Sequence, residues 1–328
     1  MRISATLKTL IVVGVVGLCA ATAAALLAPL GWPFELFAHF RLQYLVVGAL
    51  LAAAALLLRQ RSLALVALVA TALNGVTLGG ATLGGGTPVS AAALDTECNG
   101  ADLTVITANV EYVNHEHEAL LRWLGQQSAD VIMLEEVTEA WGRSIERLQG
   151  YPFRAVRVRE DPFGLALLSR RPLQSVEWLD FAGDDVPAIS AQIEVDGQPV
   201  QILGMHTHSP VASERLRARD RELERAAERA TYGGQSTVLL GDLNVSPDAP
   251  AFARLLADGH LRDALASGGW RPTWHADFWP LALRIDHVLV SPSLCIVSSE
   301  VGPEIGSDHR PVQVTVRLPQ RVAVAGGG

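Results

Sequence analysis

Residues 237–248 read TVLLGDLNVSPD: a short aliphatic run, a glycine, then Asp242 and Asn244 two positions apart. Thr237–Leu240 has the β-branched and aliphatic content of a buried strand. An Asp-x-Asn after a strand is by itself usually a turn, because both side chains bond their own backbone. What changes the reading is recurrence. Leu103–Asn109 (LTVITAN) is a strand closed by Asn109, and Val131–Leu134 is one closed by Glu135 and Glu136. Val200–Met205 runs into His206 and His208, Asp286 lies in the strand Ile285–Val290, and Ser307, Asp308 and His309 precede the strand Val312–Val316. A strand end delivers a side chain from a rigid element to a common rim, where function gathers.

Between these strands the pattern predicts Leu165–Ser169 and Ser190–Val195 as further strands, with a hairpin turn at Asp196-Gly197. Helices are predicted over 115–127, with Asn114 as its cap, and over 138–148, 213–230 and 249–257. The charge run of 213–230 (SERLRARDRELERAAERA) reads as a solvated face laced with i,i+4 pairs. Strands and helices mix without strict βαβ alternation, so the expected class is α/β, two sheets covered by helices.

The 328 residues divide sharply in composition. Residues 1–94 hold five basic side chains (Arg2, Lys8, Arg41, Arg59, Arg61) and one acid, Glu35. Residues 95–328 hold 21 basic and 33 acidic side chains, a net charge of −12. Such a domain repels nucleic acid at long range and is not a high-affinity DNA-binding module, although a nuclease whose carboxylates hold metal remains compatible. Three uncharged stretches near 9–30, 42–58 and 62–78 read as membrane spans, the first clearly long enough and the others short. Arg2 and Lys8 at the start, with Arg59 and Arg61 between the second and third, place the N-terminus inside and the following domain outside the cytoplasm, in an inner membrane crossed several times. The expected organisation is therefore a membrane region 1–80, a linker 81–101 containing Gly84-Gly85-Gly86, a catalytic domain 102–318 and a tail 319–328. Cys98 and Cys295 have the separation of either a long-range disulfide or two unrelated thiols. No obligate protein partner is evident.

TANV (107–110), LEEV (134–137), GMH (204–206), GDLNVSPD (241–248), RIDHVLVS (284–291) and GSDHRPV (306–312) together resemble the successive motifs of the endonuclease/exonuclease/phosphatase superfamily. The resemblance spans about 102–318. It implies a four-layer α/β sandwich and a Mg²⁺-dependent phosphate-ester hydrolase, with Mn²⁺ as an alternative cofactor. Carried over by motif, Asn109 helps hold the metal-bound phosphate and Glu136 is the metal-binding glutamate, preceded here by Glu135 where relatives carry Gln. His206 contacts the phosphate or protonates the leaving group, with His208 as its rival. Asp242 and Asn244 orient the nucleophile and stabilise the phosphoryl oxygens, Asp286 is an aspartate that either supports the site from behind or faces the metal, and Asp308 and His309 form the terminal dyad, in which Asp308 orients His309 to deprotonate water or to steady the phosphate. In the expected set, Glu136, Asn109, Asp286 and Asp308 serve the metal, while His206, Asp242, Asn244, Asp308 and His309 are catalytic. Asn109, Asn244, His206 and Trp274 meet substrate.

The chemistry agrees without the family. A phosphate ester is anionic and resists hydroxide, so a divalent cation on hard oxygen ligands, a carboxylate-oriented histidine and amide donors are the groups it needs. Trp270 and Trp274, with Arg271 between them, would stack a base or sugar or border a lipid headgroup, or simply pack. Three readings of function are carried: a nuclease, a phosphatase or phosphodiesterase of lipids or small molecules, and an inactive binding module. The intact polar set argues against the last.

Overall fold

The computed structural model describes residues 2–84, 98–275 and 278–320. The chain forms two compact units, one of Met1–Gly85 with Pro210–Leu216 and Val245–Ala253, the other of Gly86–Ser209, Arg217–Asn244 and Arg254–Gly328.

The first unit is helical: α1 (Arg2–Leu26), α2 (Phe34–Ala38), α3 (Arg41–Leu57) and α4 (Arg61–Gly84). Its packing is inverted relative to a water-soluble bundle. Leu10, Leu50, Leu57, Leu65 and Val76 are each more than 60% exposed, whereas Ala25, Ala55, Ala67 and the polar Thr22 and Asn74 are buried. Asn74 Nδ2 donates to Thr22 Oγ1 at 2.9 Å, tying α4 to α1. Arg41 donates to the Ala25 carbonyl at 2.9 Å and to Thr77 Oγ1 at 3.0 Å. Gly48 lets α3 lie close to α4, since a Cβ there would collide with Thr71 Oγ1. Small residues at helix contacts with large apolar ones outside is the arrangement favoured in lipid.

Two helices, over Ala5–Leu26 and Arg61–Leu78, are long and apolar enough to cross a membrane. This corrects the expected count of three. The span predicted at 42–58 is α3, whose 17 residues rise only about 26 Å against a hydrocarbon core of roughly 30 Å. The first span also stops at Leu26 rather than residue 30, because Pro29 and Pro33 lie in the turn that follows. At the other end, α4 continues to Gly84, into the predicted linker. The rest of the linker through residue 97, and the tail from 321, lie outside the described residues.

The second unit holds two six-stranded mixed sheets. The strands in chain order are β1 (Asp102–Asn109), β2 (Val131–Glu135), β3 (Phe153–Arg157), β4 (Leu165–Ser169), β5 (Gln174–Asp180), β6 (Pro187–Val195), β7 (Gln198–Met205), β8 (Ser236–Asp242), β9 (Arg262–Asp263), β10 (Asp286–Val290), β11 (Cys295–Val301) and β12 (Val312–Arg317). One sheet has the order β11-β12-β1-β2-β4-β3 and the other β5-β6-β7-β8-β10-β9. Alternation divides each inner strand between two cores. Leu103 and Val105 of β1 with Val131 and Met133 of β2 join Ile189, Val238, Leu240 and Val288 of the other sheet. The opposite face of the first sheet, with Ile106, Ile132 and Leu134, packs on α5 (His117–Gln126) and α6 (Glu139–Ile145) through Leu120, Leu124, Trp141 and Ile145. The expected two sheets flanked by helices are present.

Thr138 caps α6, accepting the Trp141 N–H at 3.3 Å. Asn114 does not cap α5; Glu116 takes that position, and Asn114 Oδ1 instead accepts the Glu116 N–H at 2.7 Å in a side-chain turn. Cys98 and Cys295 are joined by a disulfide with Cα atoms 6.1 Å apart.

Two registers set up the rim. β1 and β2 run parallel with Asn109 opposite Glu135, and β8 and β10 run antiparallel with Asp242 opposite Asp286. Gly241 permits this. Its φ is +140°, and a Cβ there would collide with the Met205 carbonyl.

Candidate active site

Asp242 is the hub of the rim. It is 2% exposed. Its Oδ1 accepts the Asn244 N–H at 2.9 Å, and its Oδ2 accepts Asn109 Nδ2 at 3.1 Å. Oδ2 also lies 3.4 Å from His206 Nε2 and 3.7 Å from His309 Nε2. Asn109 extends the network, its Nδ2 also donating to Glu136 Oε1 at 2.9 Å, while Glu136 Oε2 accepts the Tyr112 N–H at 2.9 Å. Asn244 Nδ2 donates to the Thr207 carbonyl at 2.9 Å and lies 3.2 Å from His206 Nε2. Asn109, Glu136, His206, Asp242, Asn244, Asp286 and His309, dispersed over 200 residues, thus form one connected cluster. Backbone strain marks it: Glu111, Glu136 and Asn244 all have positive φ, of 58°, 65° and 46°.

The two ambiguous pairs separate. Strand alternation turns Glu135 into the protein, where it is fully buried and accepts Thr107 Oγ1 at 2.5 Å. Burial pushes its carboxyl well above the usual range, with Asp286 and Asp242 adding to the effect against the Thr107 bond. Glu136, the next residue, turns toward Asn109. His206 joins Asp242 and Asn244, with its Nδ1 bonded to the Pro162 carbonyl at 2.8 Å. His208 instead faces Glu222 and Asp184.

One expected pairing is corrected. The carboxylate bonded to His309 is Asp286, 2.9 Å from Nδ1, and not Asp308, whose Oδ1 is 3.9 Å from Nε2. Adjacent residues leaving a chain diverge, so Asp308 cannot lie along the ring edge that Asp286 reaches from β10. Asp286 thus supports the histidine, one of the two places expected of it, while one of its oxygens also lies among the ligand atoms it shares with Asp242. Asp308 Oδ2 accepts the Trp274 indole N–H at 2.9 Å, so the polar atom of Trp274 orients a carboxylate.

Three further contributors were not singled out as site residues. Glu111 accepts the Asp308 N–H at 3.3 Å, and its carboxyl is pushed up by burial and by Asp308. Ser307 Oγ donates to the Asn109 carbonyl at 2.9 Å and accepts the His309 N–H at 3.0 Å. Arg219, fully buried, donates to the Asn244 carbonyl at 3.2 Å. In α7 (Ser213–Thr231) the charge run is a solvated face at Glu214, Arg215, Arg217, Arg221, Glu224, Arg225 and Glu228, as expected, but Arg219 and Glu222 are buried. Ser307 lies inside the motif GSDHRPV, and Glu111 directly follows TANV. Arg219 is one of six arginines in its helix, and nothing local distinguishes the buried one.

The electrostatics separate the two central groups. Burial raises the Asp242 carboxyl to about 6, and the neighbouring Asp286 adds to it. For His309, burial opposes the charged form, but Asp286 and Asp242 overcome it and raise the imidazolium to about 10. His309 is therefore a cation at neutral pH. Both groups bind a proton more tightly folded than unfolded. The contribution of His309 to stability is complete below 6.5 and is lost as pH rises through 10; that of Asp242 is complete below 3.8 and is lost through 6. Denaturant unfolding of chelated protein across this range should show stability falling in the alkaline limb, and His309→Asn should flatten that limb. An unchanged limb in the variant would contradict the pairing with Asp286.

The donor set suits a hard divalent cation. Glu111, Glu136 and Asp308 crowd together, and the upward push on Glu111 by Asp308 and Glu136 reports negative charge that a cation would offset. Asp242, Asp286 and His309 also present ligand atoms within 4.8 Å of one another.

Comparison with known proteins places this geometry. The Endonuclease/Exonuclease/phosphatase family matches residues 106–309. No curated protein matches the chain by sequence. Among solved structures, a humanized D. rerio TDP2 is 18% identical with a TM-score of 0.56, covering 66% of this chain and 99% of its own. The endonuclease/exonuclease/phosphatase from Beutenbergia cavernae is 21% identical with a TM-score of 0.55, covering 66% of this chain and 72% of its own. The 3′ phosphatase NExo from Neisseria, bound to a product DNA hairpin, is 21% identical with a TM-score of 0.54, covering 65% of this chain and 98% of its own. At these identities the likeness is one of fold.

Proposed function

The chain belongs to the endonuclease/exonuclease/phosphatase family, and from that premise we propose that it hydrolyses a phosphate ester by direct attack of water, with Mg²⁺, or Mn²⁺ in its place, as cofactor. The observation that carries the reading is the convergence of Asn109, Glu136, His206, Asn244 and His309 on Asp242. Glu136 and Asp308, with Glu111 beside them, would hold the cation, which when bound polarises a phosphoryl oxygen and favours departure of the leaving group. Asp242, whose carboxyl is raised by burial and by Asp286, is placed to take a proton from water at Oδ2. His309 is charged and held by Asp286, so it steadies the phosphoryl oxygens rather than acting as the base. Asn244 offers its amide, and His206 its Nε2, from the opposite wall. Of the two roles expected of His309, this assignment takes the steadying of the phosphate and gives the activation of water to Asp242. The test is a screen of the purified protein with Mg²⁺ against DNA, RNA, phospholipids and sugar phosphates. Absence of hydrolysis of every class would overturn it.

For substrate class, the net charge of −12 over 95–328 favours a phospholipid headgroup or a small phosphate ester over duplex nucleic acid. Trp270, Phe278, Trp279 and Leu281, exposed in the segment that also carries Trp274, favour an apolar or lipid-bearing substrate in the same way.

We further propose that the helical unit anchors the protein in the inner membrane and that the hydrolase unit lies outside the cytoplasm. With two helices of spanning length, what favours this sidedness is the Cys98–Cys295 disulfide, which belongs to an oxidising compartment. A C-terminal reporter active only outside the cytoplasm should signal. A reporter active only in the cytoplasm would reverse the orientation.

A further inference from the structure

His208, two residues beyond the active-site His206, belongs to a second cluster with Glu222 of α7 and Asp184 of the β5–β6 loop. Glu222 grips His208 twice, accepting its backbone N–H at 3.0 Å on Oε2 and lying 3.0 Å from Nδ1 through Oε1. That carboxylate is 3% exposed, so the grip is built into the core of the unit. A proton on Nδ1 directed at Glu222 leaves the Nε2 lone pair pointing away from it. Asp184 Oδ2 stands 3.4 Å from that Nε2. Two ligand atoms about 2.1 Å from one tetrahedral ion are separated by roughly this distance.

The loop that presents Asp184 is itself fixed. Asp180 accepts the N–H groups of Gly183 at 2.7 Å, Asp184 at 3.2 Å and Asp185 at 3.0 Å. Arg159, the nearby guanidinium, is committed to Asp161 at 2.7 Å and Asp185 at 2.8 Å. The arrangement is a carboxylate that orients a histidine, whose other nitrogen faces a second, solvent-accessible carboxylate. Ligating histidines are commonly oriented in this way.

We propose that Asp184 and His208 bind a divalent transition-metal ion of the zinc class, with Glu222 orienting the imidazole and water completing the coordination. The ion ties the β5–β6 loop to the end of β7. The Phe163 ring lies between, its centroid 5.2 Å from that of His208 and 5.6 Å from that of His206, so the ion stiffens the wall that carries His206. This site is separate from the cation held near Glu136.

The test is metal stoichiometry, not activity. Full-length protein, stripped by chelation, is loaded with Zn²⁺ and passed through gel filtration for elemental analysis; Co²⁺ absorption provides a second readout. Glu136→Gln should retain one Zn²⁺ equivalent that His208→Ala loses. Asp184→Asn should weaken that equivalent by about 10- to 100-fold or more, the scale on which even outer groups around a metal act. Asp184 is on the surface, so its variant decides the matter should His208→Ala fail to fold. Equal binding by wild type and Asp184→Asn, or an equivalent that disappears in Glu136→Gln, would overturn the proposal.

Discussion

An Asp242→Ala protein is expected to lose about 10³- to 10⁴-fold in phosphoesterase turnover while keeping its near-ultraviolet circular dichroism, the range set by removing a positioned proton acceptor together with its electrostatic partners. Among the described residues, no other side chain at the rim is shared by so many groups: Asn109, Asn244, His206 and His309 all address this one carboxylate. The more discriminating variant is Asp242→Asn, which keeps the shape. Oδ1 and Oδ2 each accept a hydrogen bond, from Asn244 and Asn109, so an amide must turn its NH₂ toward one of two donors and cannot take a proton from water. It should be as inactive as the alanine variant. Activity within tenfold of wild type in Asp242→Asn would mean that the residue only holds the rim together, and the base would have to be sought elsewhere.

Chelation is expected to abolish turnover, with Mg²⁺ or Mn²⁺ restoring it, and Glu136→Gln to raise the Mg²⁺ concentration needed without altering the fold. The reason is the sign of the site. Glu111, Glu136, Asp242, Asp286 and Asp308 surround the place where an anionic ester must arrive, and His309 is already matched to Asp286. Without a divalent cation, this field repels the substrate; with one, it reverses locally and polarises a phosphoryl oxygen. Chelator-insensitive hydrolysis would exclude the mechanism. An unchanged Mg²⁺ requirement in Glu136→Gln would move the cation to the group formed by Asp242, Asp286 and His309.

The strands that could be read from the chain are the eight inner ones: β12, β1, β2 and β4 of one sheet, β6, β7, β8 and β10 of the other. Each is apolar enough to announce itself because both of its faces, or one face completely, are buried. β2, β4 and β10 are buried at every residue. The four that were not legible, β3, β5, β9 and β11, are the four edges, and β5 is exposed at five of its seven positions. An edge strand is held by one neighbour and half wetted, so its composition carries little signal and its existence depends on the strand beside it.

The candidate site divides along the same line. Most of the residues that cluster there could be picked out in the chain, because polar residues at strand ends, at Asn109, Glu136, His206, Asp242 and Asp286, are a local pattern that repeats; Glu111 and Arg219 could not. Which of them touch was decided only by tertiary structure. The β8–β10 register sets Asp286 opposite Asp242 and lets it, rather than the adjacent Asp308, take the imidazole of His309. Strand alternation buries Glu135 and frees Glu136. The charged helix α7 turns Arg219 inward to the Asn244 carbonyl and Glu222 to His208. Local sequence specifies what a segment prefers to bury; partners far apart along the chain are specified by the packing of whole sheets and helices, which no single segment encodes.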